Sequence, residues 1–136
     1  MYRTLALVLA TAMPLLADMS ADEVKAKVKE GGDHFRAAMA ASDKQQKMAE
    51  LGKMTEAFTV AFGETKQDAA ASAQVEEEAG GIKSADEKAL FFFFVCDGYC
   101  QLERWKPALD WIEKALALSK NAKYEAKKKE IEDKLK

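Results

Sequence analysis

The chain predicts an all-α fold of antiparallel helical hairpins, about five to six helices in all, and three features of the sequence predict it. The first is a four-residue helix-start signal that occurs twice, letter for letter, as Ser20-Ala21-Asp22-Glu23 and Ser84-Ala85-Asp86-Glu87. In such a capping box the Ser hydroxyl accepts from the third backbone N–H while the Glu reaches back to the cap, so two orphan donors are satisfied at once. The second is the recurrence of apolar residues at three- and four-residue spacing behind each box, the signature of one buried helix face. The third is the stretch from Ala89 to Ala122, where Leu90, the run Phe91 to Phe94, Val95, Tyr99, Trp105, Ile112 and Leu116 supply enough large apolar side chains for a core.

A length of 136 residues with 49% hydrophobic content suits one domain around one core. The formal net charge of -2 provides no basic field, so nucleic acid is not an expected partner. At the N-terminus Arg3 precedes the apolar run Leu5 to Ala17, and charged residues begin at Asp18. That layout reads as a signal peptide over 1–17, cut after Ala17 or else after Ala21, with an uncleaved anchor or an ordinary buried helix as the alternative. The mature chain, 18–136, is then exported to a periplasm or secreted, with no stable membrane span once the signal is removed.

Taken in order, the first helix starts at Ser20 and buries Val24, Val28, Gly31, Phe35 and Met39. Gly31 and Gly32 lie inside it and imply close contact with a neighbouring backbone. Ser42-Asp43 caps a second helix whose stripe is Met48, Leu51, Thr55, Phe58 and Phe62, ending at Gly63. The short link makes the two antiparallel neighbours. The segment 63–83 turns to Ala, Gln and acid with Val75 as its one large apolar residue before Ile82, which leaves either a loosely docked helix or a mobile linker. A second hairpin follows, from Ser84 to Glu103 and from Lys106 to Leu118, with Pro107 in the first turn where a missing N–H costs least. A last helix from Asn121 shows a thin stripe of Tyr124, Ile131 and Leu135 and serves to cap the array.

The two boxes lie 64 residues apart, and the same offset carries Val28 onto Phe92, Gly32 onto Cys96, Asp33 onto Asp97, Phe35 onto Tyr99 and Met48 onto Ile112. Within the second copy, Phe92, Val95, Cys96, Tyr99, Ala108, Ile112 and Ala115 follow the spacing W-x2-L-G-x2-Y, A-x3-F and a further small residue. In this the chain resembles the tetratricopeptide-repeat family, with one degenerate repeat at about 89–122 and a weaker one at about 25–58. Cys96 stands where the family has Gly, and the closing Pro is replaced by the run Ser119, Lys120 and Asn121.

The resemblance implies a scaffold whose inner helices contact a protein or peptide. Carried onto this sequence, it nominates Leu90, Phe93, Phe94, Asp97, Cys100 and Gln101 from the second hairpin and Lys29, Asp33 and Arg36 from the first. Asp33 and Asp97 occupy positions where the family's carboxylate clamp uses a neutral Asn, so capture of a peptide C-terminus is not implied. Phe91 to Phe94 cover nearly a full helical turn, so either both sides of their helix are packed, by the segment 63–83 or by the last helix, or part of the run is open to a ligand.

Few residues suit chemistry. His34 is the only histidine, which excludes a multi-histidine zinc site, and beside Asp33 it reads as a solvated surface imidazole. No catalytic residue and no cofactor is implied. Cys96 and Cys100 are one helical turn apart, too far at their Cβ atoms for an easy disulfide, which leaves a small buried residue, a redox pair or a soft-metal site. Met39, Met48 and Met54 read as core filling. Seven acids and three lysines between Glu64 and Lys88, against seven lysines and four acids between Lys120 and Lys136, leave self-association open. The expected function is therefore an exported protein- or peptide-binding module without catalysis; the alternative is a helical bundle holding a small hydrophobic ligand or a soft metal ion.

Overall fold

The computed structural model describes residues 19–136, and the expected signal peptide lies outside them. The described residues form six α-helices and one 3-10 turn, with no strand among them: α1 Ala21–Ala40, α2 Lys44–Phe62, the turn Thr65–Gln67, α3 Asp68–Gly80, α4 Ala85–Gln101, α5 Trp105–Leu118 and α6 Ala122–Lys134. No described helix is long and apolar enough to cross a membrane.

The starts follow the sequence signals. Ser20 accepts from Glu23 N–H at 3.1 Å while the Glu23 carboxylate accepts from Ser20 N–H at 2.8 Å. Ser84 accepts from Glu87 N–H, Asp43 from Gln45 N–H and Asn121 from Lys123 N–H. These caps spare the first turns their orphan donors. The α4–α5 reversal needs a residue in the left-handed region, and Glu103 takes it with φ 56°, which lets Arg104 N–H reach Tyr99 C=O at 3.0 Å.

Side-chain pairs set the packing. His34 meets Glu50 and Gly31 meets Phe58, so α1 and α2 are antiparallel. Met19 N–H bonds Glu64 while Arg36 bonds Glu78, so α3 runs beside α1 in the same direction. Phe58 and Phe62 meet Phe91 and Tyr99 in turn, making α2 and α4 parallel, and Phe93–Tyr124 with Asp97–Lys127 does the same for α4 and α6. Arg104–Asp68 and Lys114–Glu76 align α3 with α5. Odd-numbered helices thus form one layer and even-numbered helices the other, running opposite.

The core between the layers is aromatic. Phe35 stands edge-on to Phe91 at 5.2 Å, Phe58 stacks on Phe62 at 5.2 Å, Phe62 on Tyr99 at 4.1 Å, and Trp111 lies 5.4 Å from Phe92. Two glycines admit these rings. A Cβ on Gly31 would collide with the Phe58 ring, and one on Gly98 would lie 3.2 Å from Phe62.

Where the sequence leaves 63–83 between a docked helix and a linker, the structure has a helix. Small Ala71, Val75 and Ala79 bury its inner face, and polar ties complete the docking. Buried Glu78 accepts from both Arg36 and Gln74, and Arg104 forks onto Asp68 at 2.6 and 2.9 Å while donating to Phe62 C=O. With α3 counted as a layer helix, α3 to α5 and α4 to α6 each start 37 residues apart, a tandem spacing hidden beneath the 64-residue one.

Two expectations are corrected. Met48 is 61% exposed and is not on the buried stripe. Because α2 and α4 run parallel with Phe58 level with Phe91, Met48 lies level with a point before α4 begins, and nothing covers it. His34 is not a free surface imidazole, because its Nδ1 is 2.7 Å from the Glu50 carboxylate and ties α1 to α2.

Candidate partner-binding face

Each side of α4 has a different neighbour, and this decides which nominated residues are open. Phe91, Val95, Gly98 and Tyr99 turn into the core, and Phe92 meets Trp111 of α5. On the next side α6 lies along the helix: the Tyr124 ring stacks on Phe93 at 5.1 Å, and the Lys123 ammonium sits 4.9 Å from the same ring. Phe93 is 8% exposed, so the expectation that its ring is offered to a partner gives way. The last helix covers it because Tyr124 is the one aromatic residue of α6.

What remains open on α4 is a strip. Leu90 and Phe94 are half-buried, Asp97 is half-buried and Gln101 is exposed. Phe94 braces against Phe35 at 6.1 Å and Phe93 at 5.8 Å, so its ring is held rather than free. Gln101 donates to Asp97 at 3.1 Å, and the Lys127 ammonium approaches the same carboxylate at 3.6 Å. The strip therefore pairs two apolar anchors with a small polar network at its C-terminal end. That combination suits a chain segment carrying one or two apolar side chains and free backbone amides.

Lys29, Asp33 and Arg36 do not join this strip. Lys29 and Arg36 both bind Asp33, at 3.3 and 2.9 Å, and Arg36 turns on to Glu78 of α3. Hydrogen bonding from Arg36 holds the Asp33 carboxyl below its ordinary range, and Glu78 raises the Arg36 guanidinium above its own. Arg36 also borders a cleft of about 490 Å³ at the end of the bundle, floored by Phe35, Met39 and Ile82 and edged by Lys83 and Glu87. The sequence did not mark this cleft, because Ile82 and Lys83 lie in the connection between α3 and α4.

Cys96 and Cys100 are free, with Sγ atoms 4.0 Å apart; Cys96 is fully buried and Cys100 half-buried. The contact with Cys100, then burial, pushes the Cys96 thiol up, whereas hydrogen bonding from Cys96 and the charge of Lys127 draw Cys100 down. Among the described residues no three His, Cys, Asp or Glu side chains are placed to hold one ion. Lys123 and Lys127 of α6 are contributors that the sequence reading missed, since a lysine-rich helix carries no mark of which lysines face α4.

No family model, curated protein or solved structure matches the chain.

Proposed function

We propose that the chain is an exported, tetratricopeptide-like scaffold that holds a protein or peptide along α4 and performs no chemistry of its own. The observation that carries this reading is the strip of Leu90 and Phe94 beside Asp97 and Gln101, presented by a helix packed on its other sides. Partner side chains bury against Leu90 and the Phe94 edge, and the Gln101–Asp97 pair orients the backbone. The family likeness gains support from burial: all seven repeat positions, Phe92, Val95, Cys96, Tyr99, Ala108, Ile112 and Ala115, are buried in the α4–α5 hairpin. Export rests on the apolar run from Leu5 to Ala17.

The test is co-purification from the producing cell with Leu90→Glu beside the parent chain. A polypeptide that accompanies the parent and is lost with Leu90→Glu, at unchanged helicity, supports the reading. Equal recovery from both, or the absence of any polypeptide, refutes it.

A further inference from the structure

The Cys96–Cys100 pair is not used by the proposed function, and its two free thiols lie within S–H···S contact of each other, one helical turn apart. A disulfide needs sulfurs about 2.05 Å apart and Cβ atoms about 3.8 Å apart, whereas side chains four residues apart on a helix keep their Cβ atoms roughly 5 to 6 Å apart. The helix thus resists a direct S–S bond, yet it brings the sulfurs to 4.0 Å. A thiol proton spans a gap of that size, and so does a single atom bonded to both sulfurs once the protons have left.

We propose that Cys96 and Cys100 form a binding site for a soft monovalent ion of the Cu(I) class, held between their two sulfurs. Soft thiolate ligands select Cu(I) over the harder divalent ions. With metal–sulfur bonds near the zinc–thiolate length of about 2.3 Å, a bent S–metal–S arrangement spans this separation without unwinding the helix. The exchange balances: Cu(I) and two thiols give the bridged ion and two protons released to water, and copper stays monovalent throughout. The bridged ion with two thiolates carries one negative charge, and the nearest cation is the Lys127 ammonium of α6, which is shared with the Asp97 and Glu130 carboxylates at 3.6 Å each. Half-exposed Cys100 is the point of entry. Fully buried Cys96 keeps the inner side of the ion dry.

The two sulfurs are not among the strip's contact residues, although Asp97 and Lys127 border both, so failure of one proposal leaves the other standing. The experiment titrates the reduced full-length chain, without oxygen, against Cu(I) held by a chromophoric chelator, and reads copper withdrawn and the thiolate-to-copper absorption. The parent chain is expected to retain one Cu(I), and Cys96→Ser and Cys100→Ser each to weaken retention by about an order of magnitude or more. Using both variants keeps the test valid if the buried substitution disturbs folding. Retention unchanged in Cys96→Ser would show a surface thiol only and overturn the site. So would a parent chain that binds no better than the doubly substituted one, or one that closes an S–S bond readily in air.

Discussion

Substituting Ala for glycine at two helical positions sets packing against propensity. At Gly52 of α2 an added methyl would meet nothing within 4 Å, so Gly52→Ala should gain the helix-propensity difference, up to about 1 kcal/mol. At Gly31 of α1 the same gain is opposed. The new Cβ would fall 2.6 Å from Phe58 Cδ1 and closer still to Cε1. The Phe58 ring is fully buried, stacked on Phe62 and edge-on to Phe91, and cannot swing aside without disturbing both. Overpacking of this kind costs about 1 to 3 kcal/mol, which leaves a net loss of about 0 to 2 kcal/mol once the propensity gain is subtracted. The two variants should therefore differ by the overpacking cost itself, about 1 to 3 kcal/mol, or roughly 5 to 15 °C in midpoint for a domain of this size. Thermal and urea melts followed by far-ultraviolet circular dichroism read this directly. If Gly31→Ala proves as stable as Gly52→Ala, α1 and α2 do not approach as described and the layer order built on them is wrong.

Other outcomes follow from the same contacts. Arg36→Ala strips the cation from Glu78, which is 7% exposed; the loss should be about 2 kcal/mol, below that of a fully buried pair because Arg36 itself is 43% exposed. Adding Glu78→Gln should recover much of it in urea melts, and failure to do so would show that the Arg36 stem, not the ion pair, matters. Burial pushes the Tyr99 phenol up to about 12, so between pH 10 and that value the unfolded chain ionises first. Stability present below pH 10 should then be lost on going to pH 12, by up to about 2 to 3 kcal/mol, and Tyr99→Phe should remove this part of the alkaline loss from the urea midpoints. Glu103→Gly should raise the melting midpoint by up to about 1 kcal/mol equivalent, since glycine takes φ 56° without penalty; a fall would locate a role in the Glu103 side chain.

The sequence shows its helices clearly because their starts are written in short-range chemistry. Ser20 and Glu23 close both halves of their box at α1, Ser84 caps α4 through its hydroxyl on Glu87 N–H, and Pro107 lies in the first turn of α5. Burial inside α4 was legible wherever the repeat spacing applied. It was not legible where neighbours decide. Met48 has the right spacing for a core residue but the wrong level along the bundle, and α3 docks through alanines and ion pairs that look like a solvated surface in one dimension. The candidate face was half legible for the same reason: the helix carrying it was evident, but which side α6 would cover depended on Tyr124 finding Phe93 across the chain.

The most direct test of a partner seated on α4 is photo-crosslinking in the producing cell. A photoreactive side chain replaces Gln101, and another replaces Lys53, an exposed residue of α2 that pairs with Glu50 of its own helix. The α4 strip predicts a discrete polypeptide adduct from position 101 and none of that mass from position 53. Equal labelling at both positions, or no adduct at 101 while the chain remains folded, contradicts it.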